Sequence, residues 1–484
     1  MHFSSVYLPA CKLLSIAFSH PYMDRYITSL KLYDYIATAP TADIMHMLHV
    51  AFDDTDSRDG RCTTHLAFKV VEHLKKKERT RLVDYPLLIR LNPNIPWKTR
   101  GNGAVCLRLK VQDTGRVVDH IRQAVEEGSA IGSGANPGIA FLESDNVPAK
   151  LREFSALAMC DIVSRQMSEK VAKAVGVQYF TFGNGQGLVG SLGAMGCLLD
   201  GDHTFELIAY RKQKNCGRPR VVDKQRVIKF SVDTYPNTFN NYDRNHERVL
   251  IAPHGPDPVF FGIRGESPDI VASALPALQP EEELDGWTIF RSNQGTNMHL
   301  QNEISIAKSK AYTAGRIKCK VSSKPYAMEG GHVIFTVKQD GAEMPAAVYE
   351  PTGLANIAAK LEAGDVIEIG VGVRKGTTKH PKILNIEYLL VLKLASVYEI
   401  LNPMCKMCGK RMKSEGKNKG YQCDRCKHKD LNTKKILALQ ERKIKTELYI
   451  PTPKAHRHLT KPLQRYGIEK TNFLFEKINS EGLI

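Results

Sequence analysis

Four cysteines constrain the C-terminal part of this chain more than any other feature. Cys405, Cys408, Cys423 and Cys426 read C-x2-C, then fourteen residues, then C-x2-C. Each pair folds into one tight knuckle, and two knuckles place four thiolates around one tetrahedral Zn2+. The alternative, two disulfides, needs an oxidising compartment. The other seven of the 11 cysteines stand singly between Cys11 and Cys319, which argues for a reduced cytosol. Charge gathers in the same region. The chain has 68 Lys and Arg against 51 Asp and Glu, a net +17. From Pro403 to Ile484 the counts are 20 against 8, so +12 lies in the last sixth of the chain. Such a patch is the footprint of a phosphate-rich partner, most simply nucleic acid, because each neutralised phosphate releases counterions. A charged solubilising tail is the plainer alternative. Apolar residues make up 42% and charged residues 25%, which excludes a disordered or fibrous chain. No run of ~18 uncharged apolar residues exists to span a membrane.

The 484 residues allow two to four domains. Residues 1–44 are rich in Ser, Tyr and Ala and lack a clear period, and Met45 and Met47 stand just before the first strong strand. An upstream extension, over-called or disordered, is therefore expected at 1–44. Met47–Phe52 reads as a buried strand running into Asp53-Asp54-Thr55-Asp56-Ser57. From Thr63, apolar residues recur at Leu66, Val70 and Leu74 as one helical face. Strands are expected at 87–91, 104–111, 177–182, 204–210 and 259–263, with helices at 117–127 and 154–174. These make 45–267 the region that carries chemistry. Pro280-Glu281-Glu282-Glu283 suggests a linker over 268–287. Short β runs with glycine turns over 288–395 suggest a small barrel, with an OB-fold as the leading choice. The zinc ribbon at 400–430 and a basic tail at 431–484 follow. The fold class is multidomain α+β.

Clustered carboxylates are costly, because mutual repulsion raises their pKa values unless a cation sits among them. Asp53, Asp54 and Asp56 at a strand end therefore suggest Mg2+ bridging to nucleotide phosphates; an Asp-rich turn is the alternative. Thr63 follows at a helix N-terminus, where free N–H groups favour anions. The stretch Asn92-Pro93-Asn94-Ile95-Pro96-Trp97-Lys98-Thr99-Arg100-Gly101-Asn102-Gly103 is a stiff polar knot. There Lys98 and Arg100 offer charge for phosphates, and Gly101 and Asn102 permit close backbone approach. Asn136 lies in a third glycine loop. Gly185, Gly187 and Gly190 match G-x-G-x-x-G after an expected strand. A dinucleotide site there wants a carboxylate ending the next strand, yet Arg211 ends it. A substrate loop, or close packing of a helix on a strand, fits better. His254 and Arg264 lie in one further polar segment, 252–266, which with 239–243 and 291–297 is a candidate for a binding role, turns being the plainer alternative. No G-x4-G-K-[ST] occurs, so any ATP use needs a different phosphate cradle.

The motifs in their order resemble the archaeal isoleucine-tRNA 2-agmatinylcytidine synthetases. The stretches that carry the resemblance are D-D-T-D-S with C-T-T behind it, L-N-P-N-I-P-W-K-T-R-G-N-G-A, A-N-P-G, I-A-P-H-G-P, F-G-I-R-G-E and R-S-N-Q-G-T. The ribbon and Ala455-His456-Arg457-His458-Leu459 also look like the family's, and the match spans roughly residues 45–465. Lys406 stands where such knuckles often carry proline. The resemblance implies a kinase-like α/β catalytic domain, a ferredoxin-like domain, an OB-fold and the zinc ribbon. It implies ATP, agmatine and the isoleucine tRNA with a CAU anticodon as substrates. The wobble cytidine would be phosphorylated on its C2 oxygen, and the agmatine amine would then displace phosphate, so that the tRNA reads AUA. Asp53, Asp54 and Asp56 would hold Mg2+ and orient ATP. Thr63 takes the position of the family's autophosphorylated residue.

Two other readings stay open on the sequence. An OB-fold with a zinc ribbon could bind RNA without chemistry, although such a binder gains nothing from three clustered carboxylates. Gly185–Gly190 could serve a nicotinamide cofactor. The expected location is cytoplasmic, with no membrane attachment and no protein partner evident.

Overall fold

The computed structural model describes residues 45–77, 80–98, 101–378 and 380–471. The extension expected at 1–44 and the candidate Arg100 lie outside them. The first elements are β1 (His46–Asp53), α1 (Thr63–Lys77), β2 (Arg81–Leu82), β3 (Leu87–Arg90), β4 (Gly103–Val111), α2 (Thr114–Gly128) and β5 (Gly138–Glu143). Then come α3 (Ala149–Cys160), α4 (Arg165–Ala174), β6 (Gln178–Thr181), α5 (Gly187–Gly196), β7 (Thr204–Arg211) and α6 (Lys224–Asp233). The region closes with β8 (Thr238–Phe239), β9 (Tyr242–Asp243), β10 (Arg248–Val249), β11 (Val259–Gly265), α7 (Pro268–Ala272), α8 (Ala274–Leu278) and β12 (Leu284–Ser292).

All these strands except the β9–β10 pair join one ten-stranded sheet, in the order β6-β5-β1-β4-β3-β12-β7-β11-β8, with β2 beside β4. Its pairs are antiparallel except β3 with β12. β1 is mostly apolar, with buried His49 the exception, because both of its faces are covered. Leu48, Val50 and Phe52 pack with α1 and α2, while Ala51 joins the core made with α3, α4 and α5. This alternation follows from the two-residue period of a strand. A third core, with Phe205, Leu207 and Phe261, sits under α6 to α8.

Three expectations change here. The single helix expected over 154–174 is two helices. Asp161 ends α3, and the Ser164 hydroxyl caps α4 by accepting from Met167 N at 3.2 Å. A hydroxyl at that position satisfies an otherwise orphaned N–H and so favours a new start. Residues 268–287 are not a free linker. They hold α7, α8 and the start of β12, and Val271, Ala274, Leu275 and Leu278 are buried in the third core. Residues 288–292 belong to β12 of the large sheet, so the barrel begins later.

That barrel comprises β13 (Ala314–Val321), β15 (Val333–Gln339), β16 (Ala342–Val348), β17 (Val366–Arg374) and β18 (Ile383–Lys393), with β14 (Tyr326–Ala327) at its edge. The order β13-β17-β18-β16-β15 closes through β13–β15 pairing, and β16 runs parallel to β18. Five strands closed in this order make the expected OB topology. Ile317, Val337, Ile369 and Leu389 fill its interior. The ribbon follows, flanked by β19 (Tyr398–Leu401) and its partner strand Ile436–Leu439.

The expected tail also takes on structure. After Leu448–Tyr449 pairs with β18, residues 451–471 cross back to the large sheet as a strap. Gly295 N and Asn297 N donate to His458 O and Leu459 O. Arg465 is fully buried, bonded to Glu266 at 2.6 Å and Asp202 at 2.7 Å. Among the described residues, no helix is long and apolar enough to cross a membrane.

Candidate active site

The C-terminal end of β1, the loop after β3, the start of α5 and strands β7 and β11 enclose a cavity of about 390 Å³. Asp53, Asp54, Asp56, Thr63, Lys98, Gly101, Asn102, Gly187 and Arg264 all line it, brought together from far apart in sequence. Asn136, Gly185 and His254 do not. Asn136 stands behind the wall as a brace: its N donates to Asp54 Oδ2 at 3.3 Å and its Oδ1 accepts from Asn184 N at 2.9 Å. Gly185 makes the turn into α5 at φ 69°. His254 sits on the exposed side against Arg248, at 2.9 Å.

The acidic cluster is built by the strand end. Asp54 turns the chain with φ 57°, a conformation that Asp tolerates better than most residues. Burial, and then the neighbouring Asp54, push the Asp53 carboxyl up to about 8. Burial and Asp56 likewise raise Asp54, against the hydrogen bonds from Asn136. Gly190 explains how Asp53 fits: a Cβ there would lie 1.7 Å from Asp53 Oδ2. A Cβ on Gly187 would lie 2.4 Å from Gly138 N. The G-x-G-x-x-G pattern thus serves a turn and the close packing of α5 on β1 and β5. Thr63 opens α1 and is buried, its hydroxyl accepting from Thr55 Oγ1 at 3.0 Å.

The polar knot is held by its asparagines. Asn92 donates to Tyr312 O at 2.9 Å and accepts from Asn94 N at 3.0 Å. Asn102, at φ 51°, donates back to Asn92 O at 3.0 Å. Lys98 enters the cavity wall, and burial followed by nearby Arg457 lowers its pKa. Arg457 bridges Asn94 and the barrel's Glu387, both at 3.0 Å.

Several lining residues escaped the sequence reading. Glu206 of β7 accepts from Arg264 Nε at 3.0 Å and from the Gln294 amide. His458, from the strap, has its Nδ1 2.9 Å from both Arg264 Nη2 and Gln294 Oε1. Arg90, the last residue of β3, also enters the cavity, and Asn293 clamps its backbone at N and O at 2.8 and 2.9 Å. Gln294 and His458 lie in two of the stretches that carry the resemblance, R-S-N-Q-G-T and Ala455-His456-Arg457-His458-Leu459, where no site role was read for either residue. Arg90 carried only the weak signal of a charge ending an apolar strand.

The ribbon's geometry suits zinc. The ligand atoms of Cys405, Cys408, Cys423 and Cys426 all lie within 4.8 Å of one another. The 405–426 and 408–423 sulfur pairs are 3.5 and 3.4 Å apart. Four ~2.3 Å Zn–S bonds in a tetrahedron place sulfurs ~3.8 Å apart. Each knuckle turns on a left-handed residue after its second cysteine, Gly409 at φ 70° and Lys427 at φ 61°. Among the described residues this is the one group of three or more that brings metal-ligand atoms together. The carboxylates at Asp53, Asp54 and Asp56 do not converge in that way. They still suit Mg2+, which commonly takes one or two carboxylates and completes its octahedron with phosphates and water.

Three family models match the chain: the TiaS TCKD domain at residues 49–116, the TiaS FLD domain at 185–299 and the TiaS C-terminal zinc ribbon domain at 402–444. The chain is 40% identical over 420 residues to the isoleucine-tRNA 2-agmatinylcytidine synthetase TiaS of Cenarchaeum symbiosum, covering 87% of this chain and 93% of that protein. Its structure resembles apo TiaS, an isoleucine-tRNA agmatidine synthetase, with a TM-score of 0.79 and 33% identity over 88% of this chain and 100% of that one. It also resembles TiaS in complex with its isoleucine tRNA, AMPCPP and agmatine, with a TM-score of 0.75 and 31% identity over 87% of this chain and 98% of that one.

Proposed function

The chain belongs to the TiaS family of isoleucine-tRNA 2-agmatinylcytidine synthetases, and we propose that the cavity at the end of β1 is where it performs the family's chemistry. It is an ATP-dependent ligase that joins agmatine to the wobble cytidine of the isoleucine tRNA. The observation that carries the reading is the meeting, in one cavity, of Asp53, Asp54 and Asp56 with Thr63, Lys98 and Arg264.

In this reading the region holding β1 to β5 acts as a kinase-like unit. A phosphoryl group leaves ATP and forms a P–O bond with the C2 oxygen of cytidine. The agmatine amine then attacks C2, the C2–O bond breaks, phosphate leaves with that oxygen, and the amine gives up a proton. The wobble base must first leave its stack to enter the cavity. Asp53 and Asp54 would hold Mg2+, which neutralises phosphate charge when bound. Lys98 meets phosphate oxygens from the other wall. Thr63, at the start of α1, suits a phosphate because the free N–H groups of a helix N-terminus point at it. The OB barrel and the ribbon hold the tRNA by backbone contacts and stacking. A cytoplasmic location belongs to the same proposal, supported by a tRNA substrate and four thiols that must stay reduced to bind zinc.

The test is incorporation of labelled agmatine into the CAU-anticodon isoleucine tRNA, with and without ATP. A methionine tRNA with the same anticodon is the control. ATP-dependent label on the isoleucine tRNA alone is expected, and its absence from zinc-loaded, tRNA-binding protein would overturn the reading. Thr63→Ala should remove self-labelling from γ-labelled ATP. Label persisting on that variant places autophosphorylation elsewhere.

A further inference from the structure

The polar knot reaches from the cavity to the barrel. Its second half lines the cavity with Lys98, Gly101 and Asn102. Its first half is seated on barrel strand β17. A Cβ on buried Gly372 would lie 2.4 Å from both Nδ2 and Oδ1 of Asn94 and 2.6 Å from its Cγ. The amide therefore lies face-on over Gly372, and this close approach is what asks for glycine in the strand. Beside it, Tyr312 N donates to Val373 O at 2.6 Å, and Asn92 donates to Tyr312 O.

From the other side, Arg457 of the strap holds the same amide. Its Nη1 donates to Asn94 Oδ1 and to Glu387 Oε1, both at 3.0 Å, using the two hydrogens of one nitrogen. Glu387 Oε2 accepts from buried His299 Nε2 at 3.0 Å. A bulge in β18 aims Glu387 there. Gly370 pairs with Tyr388 while the next residue, Val371, pairs with Ile386, so Glu387 is the extra residue. Leu384 and Ile386 join the barrel core before it, and Leu389 and Val391 after it. Bulges re-aim side chains in this way. The arrangement costs stability. Asn94 Nδ2 and His299 Nδ1 are buried without hydrogen-bond partners, and the bulge disrupts the ladder. Such local costs gather where a contact serves function.

We propose that Asn94 is a positioning residue for phosphoryl transfer: pinned between Gly372 and the Glu387–Arg457 pair, it lets the barrel set the place of Lys98 in the cavity. The inference rests on the phosphate contact assigned to Lys98 above. Pro93 and Pro96 stiffen the chain on both sides of Asn94, because each fixes its backbone φ. A shift at Asn94 is therefore passed on to Lys98 rather than absorbed. The barrel that holds the tRNA thereby sets one wall of the cavity without touching the reacting atoms.

The test uses the full zinc-loaded chain and agmatine conjugation at saturating ATP and agmatine, with kcat and the tRNA KM read separately. Asn94→Ala should lower kcat about tenfold with the tRNA KM unchanged. Gly372→Ala leaves the knot's sequence intact and drives a methyl group into the amide. It should act in the same way, and it carries the test if Asn94→Ala fails to fold. Asn94→Asp keeps the flat shape and the acceptor for Arg457, and should retain most of the rate. Lys98→Ala should cost about a hundredfold. Adding Asn94→Ala to it should cost little more, because the group being positioned is already gone. A merely structural role makes the two losses multiply. Multiplied losses, or wild-type kcat in both Asn94→Ala and Gly372→Ala, would overturn the proposal while leaving the phosphoryl-transfer reading in place. Near-wild-type conjugation by Lys98→Ala would instead refute the phosphate contact and the proposal with it.

Discussion

In the cavity of the large sheet, charge is buried: Glu206 is 3% exposed and Asp56 9% exposed, and Asp53 sits under α5 against Gly190. In the zinc ribbon, Lys406, Lys410, Lys417, Lys419, Lys427 and Lys429 all face solvent. Their only described carboxylate contacts are loose ones such as Lys406–Asp430 at 3.5 Å. Water and salt screen the second set but hardly touch the first. Buried charge fixes the positions of reacting groups and shifts their proton affinities. Exposed charge attracts a polyanion from a distance and adds to affinity in small, salt-dependent steps. The two regions should therefore fail differently when altered.

The largest effect is expected from Asp54→Asn. Removing one half-buried carboxylate from the cluster should cost about a thousandfold in conjugation rate, with tRNA affinity nearly unchanged and the loss independent of salt. A parallel loss of tRNA binding would erase the contrast between the regions. Cys423→Ser comes next. With one of four thiolates gone the ribbon should release zinc and unfold locally, weakening tRNA affinity about tenfold or more while leaving ATP turnover in the cavity largely intact. Metal analysis and binding titration read this directly, and unchanged tRNA affinity would count against the ribbon's role.

Acid should sharpen the picture from the sheet side. His49 is buried, accepts from Arg108 Nη1 at 2.7 Å, and has its pKa lowered to about 3 by burial and then by Arg108. The unfolded chain takes up this proton below about 6.5, while the folded chain refuses it. The stability from keeping His49 neutral is thus full above that pH and is lost as pH falls from 6.5 toward 3. The slope is at most ~1.4 kcal/mol per pH unit. Thermal unfolding across this range should show the fall, and His49→Gln should flatten it. The smallest effect belongs to Lys417→Gln with Lys419→Gln. Affinity for tRNA should drop a few-fold, and the slope of log K against log salt should lessen by roughly 1.5. A salt-independent loss would mean these lysines make specific rather than electrostatic contacts.

Local chemistry was readable from the chain wherever a short stretch decides the outcome. The apolar run ending in Asp53, the helical face from Thr63 and the cysteine knuckles all behave this way, because their partners are dictated by period or spacing. Long-range pairing was not. β12 reads as an ordinary apolar strand, and nothing in Trp287-Thr288-Ile289-Phe290 reveals that it lies parallel to β3, some two hundred residues earlier, rather than in the barrel. The break between α3 and α4 was hidden because Asp161 and Ser164 fit a helical surface pattern as well as they fit caps. For the same reason no place in the cavity was read for Arg90 or His458. Their place comes from converging on Gly101 across more than 350 residues, and no local pattern encodes that. His254 and Gly185 show the converse, as polar-loop and glycine signals that the fold uses for turns and surface contacts.

The most direct test of the chemistry follows the cytidine C2 oxygen. The isoleucine tRNA would be prepared with oxygen-18 at C2 of the wobble cytidine and turned over once with ATP and agmatine. If that oxygen is phosphorylated and then displaced by the amine, the released inorganic phosphate carries the heavy isotope. Phosphate free of oxygen-18, with agmatine joined to the base, would contradict phosphorylation of the C2 oxygen and with it the role assigned to the cavity.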